Sequence, residues 1–185
     1  MTAQDGGDLM RLFEAVGSAA ASGRGPAPVH LWNPANCGDI DIRIARDGTW
    51  FHQGAPIGRT ALVRLFSTVL RGDEDGFWLV TPVEKLKIVV EDAPFLAIGL
   101  ERDGEALRFA TNVGDVVEAG PEHPIRVATA QAGEPRPYVH VRGGLEALIA
   151  RPVFYELVSL GEEREGRLVV RSNGATFDLG ALEGA

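Results

Sequence analysis

The stretch I-G-R-T-A-L-V-R-L at residues 57–65 recurs as I-A-R-P-V-F-Y-E-L at residues 149–157, at a constant offset of 92 residues. The apolar positions and the arginine keep their places. Pro152 falls at the first helical position, where proline is tolerated. Two further recurrences come in the same order. I-R-I-A at 42–45 returns as I-R-V-A at 125–128, and the strand ending in His52 and Gly54 returns at Tyr138–Val141, with His140 and Gly143. Three matches in one order imply duplication. A period of about 90 residues is too long for a solenoid, so the copies are expected to pack as a pseudo-symmetric pair.

The repeated unit reads as ββαββ. Ile40, Ile42 and Ile44 alternate with polar residues, the pattern of a half-buried strand. Asp47-Gly48 is a two-residue hairpin signal. Such a loop sets Ala45 opposite Trp50, Ile44 opposite Phe51 and Arg43 opposite His52, which leaves Asp41, Arg43, Trp50 and His52 on the face away from the isoleucines. Residues 59–70 follow as a helix with a wide apolar stripe of Leu62, Val63, Leu65, Phe66, Val69 and Leu70. Gly72–Gly76 reads as a loop, and strands are expected over Phe77–Thr81 and Leu86–Val90. In the second copy Leu168–Arg171, an Asn173-Gly174 turn and Thr176–Leu179 form the closing hairpin. Between the copies, residues 96–119 read as three short strands with turns at Asp103-Gly104 and Asn112–Asp115.

Ahead of the repeats, Leu9, Leu12, Phe13 and Val16 mark a short amphipathic helix with Asp8 as its N-cap. The run from Gly17 to Pro28 reads as a linker. The expected organisation is an N-terminal helix and linker over 1–28, a first repeat over 29–95, and a second over 96–185 with the connecting strands. Short antiparallel elements punctuated by helices give an α+β class with mainly antiparallel sheets and two packed subdomains, not a doubly wound sheet.

Composition narrows the function classes. The 185 residues carry 18 basic and 26 acidic side chains, a net charge of −8. Such a chain is repelled by nucleic acid and anionic lipid unless its basic residues cluster. No apolar run approaches the roughly 18 residues a transmembrane helix needs, so no membrane partner is expected. The N-terminus has neither the basic nor the apolar region of a secretory signal, which makes the cytoplasm the expected compartment. The single cysteine, Cys37, excludes an internal disulfide and a Cys-based zinc cluster, and is expected to be a structural thiol, partly or wholly buried, with no metal. The four histidines show no metal-ligand spacing. No nucleophile elbow, zincin or kinase signature is present, so no catalytic residue, metal or cofactor is assigned.

Only two of the basic residues are lysines, Lys85 and Lys87. The arginine bias has two readings, a GC-rich coding sequence or recognition of anions by the guanidinium fork. Arg59 and Arg151 stand at equivalent places just before the two helices. A helix N-terminus with an arginine suits an anion. Equally, each arginine would cap a carbonyl or pair with an acidic neighbour. The face of Asp41, Arg43, Trp50 and His52 has the same two readings, an anion cradle or an ion-paired strand face. The T-P-V-E-K turn groups the hydroxyl of Thr81, the carboxylate of Glu84 and the amine of Lys85, and Asn112, Arg142 and Tyr155 are polar residues at element ends.

The motifs W-N-P-A-N-C-G-D-I-D-I-R-I, D-G-T-W-F-H-Q-G-A-P-I-G-R, L-V-R-L-F-S-T-V-L, L-V-T-P-V-E-K and V-E-D-A-P-F resemble a bacterial family known as domain of unknown function number 1285. P-Y-V-H-V-R and R-P-V-F-Y-E-L in the second half also resemble it, so the likeness runs from about Trp32 to Leu160. It implies no established activity. It implies a duplicated α+β core whose C-terminal half superficially looks like a pleckstrin-homology fold, a ligand site where the halves meet, for a nucleotide-like anion, and a role in signal transduction. Carried onto this chain, the implied ligand-binding positions are Arg59, Thr81, Glu84, Asn112, Arg142, Arg151 and Tyr155. The expected function is a non-catalytic binding or sensory module for a small anionic ligand. A protein-interaction module, binding a partner by strand addition, is the alternative. A hydrolase using a carboxylate or Cys37 ranks third.

Overall fold

A computed structural model describes residues 5–20 and 25–182. The chain divides into two compact units, Met1–Glu91 and Asp92–Ala185. The class is α+β, with each unit built on one six-stranded sheet.

Unit 1 opens with helix α1 (Asp5–Ala20) and a short 3-10 turn at Val29–Leu31. Asp8, expected as the N-cap, already lies inside α1. The helix also runs four residues into the stretch read as a linker, of which residues 21–24 lie outside the described residues. Strands β1 (Cys37–Ile44), β2 (Trp50–His52) and β3 (Ala55–Pro56) form a meander. Helix α2 (Thr60–Ser67) follows, then a second meander of β4 (Leu70–Asp73), β5 (Gly76–Val80) and β6 (Lys85–Val90). The sheet order is β3-β2-β1-β6-β5-β4, and only β1 and β6 run parallel. Ile42, Ile44, Trp50, Leu79, Leu86 and Ile88 of the sheet are buried, as are Leu12 and Val16 of α1 and Phe66 of α2.

The β1–β2 loop differs from the expected two-residue turn. Gly48 adopts φ +86°, and its amide bonds the Ala45 carbonyl at 2.9 Å. The Ala45 amide bonds the Thr49 carbonyl at 2.9 Å, and the Asp47 carboxylate accepts from the Thr49 amide at 2.9 Å. The loop is therefore three residues, a turn closed by a left-handed glycine. That shifts every rung by one. Trp50 faces Ile44, Phe51 faces Arg43 and His52 faces Ile42. Since a one-residue slip exchanges faces, Trp50 is buried and the expected Asp41, Arg43, Trp50, His52 cluster does not exist.

Helix α2 is shorter than the expected 59–70. The hydroxyls of Ser67 and Thr68 donate back to the carbonyls of Arg64 and Leu65, each at 2.6 Å, at its C-terminal end. The chain then enters β4, which takes Leu70 from the expected helix and Gly72-Asp73 from the expected loop. Cys37 is also corrected. It is the first residue of β1, exposed on the face it shares with Asp39 and Asp41, opposite Ile42 and Ile44.

Unit 2 contains β7 (Phe95–Asp103), β8 (Ala106–Thr111) and β9 (Val116–Glu118), then β10 (Ile125–Thr129), β11 (Pro135–Arg142) and β12 (Leu145–Ile149). Its sheet order is β10-β11-β12-β7-β8-β9, with β12 and β7 parallel. Helix α3 (Arg151–Ser159) follows and packs on β7. A separate three-stranded sheet of β13 (Glu162–Arg164), β14 (Arg167–Ser172) and β15 (Ala175–Ala181) completes the unit. Its Asn173-Gly174 turn has both residues at positive φ, as the sequence signal requires.

The duplication is present at the level of the sheets. In both units two three-stranded meanders are joined by a parallel pair of the first and sixth strands, β1 with β6 and β7 with β12. The order of strands around α2 also recurs around α3. The two helices nevertheless stand at different points. Ile57 follows an edge strand, whereas Ile149 ends a central one. The three strands after α2 belong to its own six-stranded sheet; those after α3 form the separate sheet. The 92-residue recurrence that sets Ile57 against Ile149 therefore does not mark equivalent places in the two sheets.

Buried Ser172 fastens the small sheet to the large one. Its hydroxyl accepts from the Leu107 amide at 2.8 Å and donates to the Ala119 carbonyl at 2.7 Å. Ser172→Ala leaves the Leu107 amide buried and unpaired and removes one of the two donors to the Ala119 carbonyl, which keeps Asn173 Nδ2 at 3.0 Å, so it is expected to destabilise the chain by about 1–3 kcal/mol, read as a lower urea midpoint.

Candidate functional site

Each copy of the 92-residue recurrence opens onto a groove. In unit 1 the groove has a volume of about 510 Å³ and is walled by the end of β2, the β3 segment, the start of α2 and one face of α1. Ile57, Arg59 and Leu62 of the recurrence line it. In unit 2 the groove is about 440 Å³, and Ile149, Arg151, Phe154 and Tyr155 line it, with Leu96 and Leu148 from the sheet and Arg136 from β11. No side chain caps the N-terminus of either helix.

Arg151 is largely exposed, and its guanidinium lies 3.8 Å from the carboxylate of Glu134, which also lines the groove. Tyr155, four residues on, shares its helix face and is 63% exposed. Arg136 is held from behind by Asp92 at 3.2 Å. Asp92 also accepts the Tyr138 hydroxyl at 2.7 Å, and burial together with that carboxylate pushes the Tyr138 phenol up. The structure thus brings Arg151 and Tyr155 together and adds Arg136, which the sequence reading did not single out.

The other expected positions lie elsewhere, and all but Arg59 are engaged. The Thr81 hydroxyl donates to the Glu84 carbonyl at 3.3 Å and accepts from the Glu84 amide at 3.2 Å. Glu84, also buried, accepts from Arg11 of α1 at 3.2 Å. This pair shapes a turn and ties α1 to it. Asn112 exchanges two bonds with Leu96, side-chain oxygen to amide at 3.0 Å and amide to carbonyl at 2.9 Å. Arg142 donates to Asp115 at 2.6 Å and stands 5.0 Å from the Phe95 ring centre. Arg59 is exposed at the mouth of the unit 1 groove.

The I-R-[I/V]-A recurrence has a structural meaning. Arg43 stacks 4.3 Å from the centre of the Phe51 ring and pairs with Glu91; Arg126 stacks 4.3 Å from Tyr138 and grips Glu146 with two bonds of 2.6 and 2.7 Å. In both cases the aromatic is the directly opposed residue of the next strand. These arginines are ion-paired members of a sheet face. His123 and His140, far apart in sequence, stack with ring centres 5.5 Å apart. Among the described residues no group of three His, Cys, Asp or Glu side chains converges as a metal site.

The family model for the N-terminal domain of a domain of unknown function, DUF1285, matches residues 27–93, and that for the C-terminal domain of the DUF1285 protein of unknown function matches residues 94–179. Two solved structures are similar. A DUF1285 family protein from Silicibacter pomeroyi DSS-3 is 57% identical, with 90% of this chain and 94% of that one covered and a TM-score of 0.83. A DUF1285 family protein from Shewanella baltica OS155 is 26% identical over 64% of this chain and 90% of that one, with a TM-score of 0.53. No curated protein matches.

On the open face of the unit 1 sheet, Trp78 lies under both lysines, with Lys85 4.0 Å and Lys87 5.2 Å from its ring centre. Lys85 and Arg71 converge on Asp73 at 2.7 and 3.0 Å. Burial pushes the Asp73 carboxyl up, but the two hydrogen bonds and the two charges outweigh it and hold the group below its ordinary value. A carboxyl lowered in the folded state contributes stability above its unfolded value of roughly 3.9 and loses it as pH falls through the folded value. Lys85→Met is therefore expected to raise the Asp73 titration midpoint, followed by carboxyl-carbon NMR, and to move acid unfolding to higher pH. Identical Asp73 titration curves in the two proteins contradict this.

Proposed function

We propose that this chain, which belongs to the DUF1285 family, is a non-catalytic binding module for a small anion, with the Arg151 groove of unit 2 as its site. One observation carries the reading: the recurrence that marks the duplication falls on the wall of a groove in both units and places an arginine there each time. A forked guanidinium suits carboxylate or phosphate. Arg151 meets its nearest acid only at an exposed 3.8 Å, a contact that contributes little and gives way to a ligand. Arg136 supplies a second cation already held in place, Tyr155 an exposed hydroxyl, and Leu96, Ile149 and Phe154 an apolar floor for the body of the ligand. The volume falls in the range of small-molecule sites, roughly 300–1,000 Å³. A module of this kind reads the level of its ligand, which suits the signalling role the family resemblance implies.

The test is thermal shift and titration calorimetry against nucleotides, inorganic phosphate and small carboxylates, since a molecule that binds the native state raises its melting temperature. At least one anion is expected to protect the wild type. Arg151→Ala should weaken that anion tenfold or more while leaving the ligand-free melting temperature within a degree or so, given the exposure of the side chain. Absence of protection by every anion, or full protection of the Arg151→Ala variant, refutes the proposal.

A further inference from the structure

The groove of unit 1 differs in chemistry from that of unit 2. Its walls are Leu9, Met10 and Phe13 of α1, Pro56 and Ile57 of the segment leading to α2, and Leu62 of α2. Among the described residues only two polar side chains line it, His52 and Arg59, and no acidic one does. Helix α1 carries more apolar surface than the core uses. Leu12 and Val16 are fully buried, whereas Met10 and Phe13 are 56% and 42% exposed and turn to the groove. A helix stabilised by burial alone has no need of that second apolar row. Met and Phe are also side chains that fit themselves to varied apolar partners.

The polar edge is unusual in the opposite sense. Among the described residues most cations are held by carboxylates. Arg11, Arg43, Arg71, Arg108, Arg126 and Arg142 are among those held by carboxylates. Among the described residues, the side chain of neither Arg59 nor His52 has a hydrogen-bond or ion-pair partner. Two donors left without acceptors beside an apolar trough are complementary to one kind of molecule, an apolar body ending in an anion.

We infer that the unit 1 groove binds an amphipathic carboxylate, a medium-chain acyl or aromatic acid. The apolar body lies along Met10, Phe13, Ile57 and Leu62, and the carboxylate is held by Arg59 with His52 as a second donor. This site stands independently of the Arg151 groove, whose walls and cations are different residues.

Decanoate is the probe, with decanol and acetate as controls that keep only the body or only the charge. Binding to the full-length protein is followed by calorimetry and by amide and methyl NMR shifts. Decanoate is expected to bind at least tenfold more tightly than either control and to shift Leu9, Met10, Ile57 and Leu62. Arg59→Gln should lose tenfold or more for decanoate and leave decanol unchanged; Phe13→Ser should weaken both. Arg151→Ala should leave decanoate binding intact, which separates this site from the other groove. Equal binding of decanoate to wild type and Arg59→Gln, shifts centred on other residues, or no binding of decanoate at all overturns the inference.

Discussion

A single parallel ladder holds each unit together. Without the β1–β6 pairing, the first unit would be two unconnected three-stranded meanders, and the β7–β12 pairing has the same place in the second. Parallel strands cannot be joined by a tight turn, so the chain must travel between them. In the first unit that journey carries α2, and with it the groove at the helix start. In the second unit the sheet is closed before α3 begins, and the groove forms where the chain leaves the central strand. The same sheet plan thus presents two grooves of unlike composition.

Cross-strand pairing engages several of the arginines. Arg43 and Arg126 lie flat on the aromatic opposite and are clamped by a glutamate, so their charge is spent within the sheet. Arg142 and Arg136 are similarly anchored by Asp115 and Asp92. Against that background a loosely held guanidinium stands out. Exposure alone would not identify it, because an arginine stem covers apolar surface while its head remains in water.

The sequence made much of this legible. Period-two alternation marked β1 and β6, turn signals separated the strands of residues 96–119, and Asn173-Gly174 marked its hairpin correctly. Failures came where a side chain altered the backbone. Asp47 and Gly48 built a three-residue loop, and one extra residue turned Trp50 inward. The hydroxyls of Ser67 and Thr68 accompany an earlier end to α2 than its apolar stripe implies. β4 was missed because an edge strand tolerates the polar Arg71-Gly72-Asp73. For the site, the recurrence pointed to Arg59 and Arg151, but Arg136 reaches its groove from a strand distant in sequence. Glu84, Asn112 and Arg142 looked available only because their partners, Arg11, Leu96 and Asp115, come from elsewhere in the fold, whereas the Thr81 hydroxyl is used within its own turn, on the Glu84 backbone. The surplus apolar residues of α1 were a readable signal, visible in Met10 and Phe13 once Leu12 and Val16 are assigned to the core.

The joining of first to last strand also governs the order of events in folding. Each meander is local and its hairpins can form within microseconds, whereas the ladder between strands some fifty residues apart must await closure of the intervening chain. Cys37 sits on the first rung of one such ladder, opposite Lys85, with its thiol open to solvent. A fluorophore attached there would mark the moment the two halves of the sheet meet, at a position where the lone thiol makes labelling unambiguous.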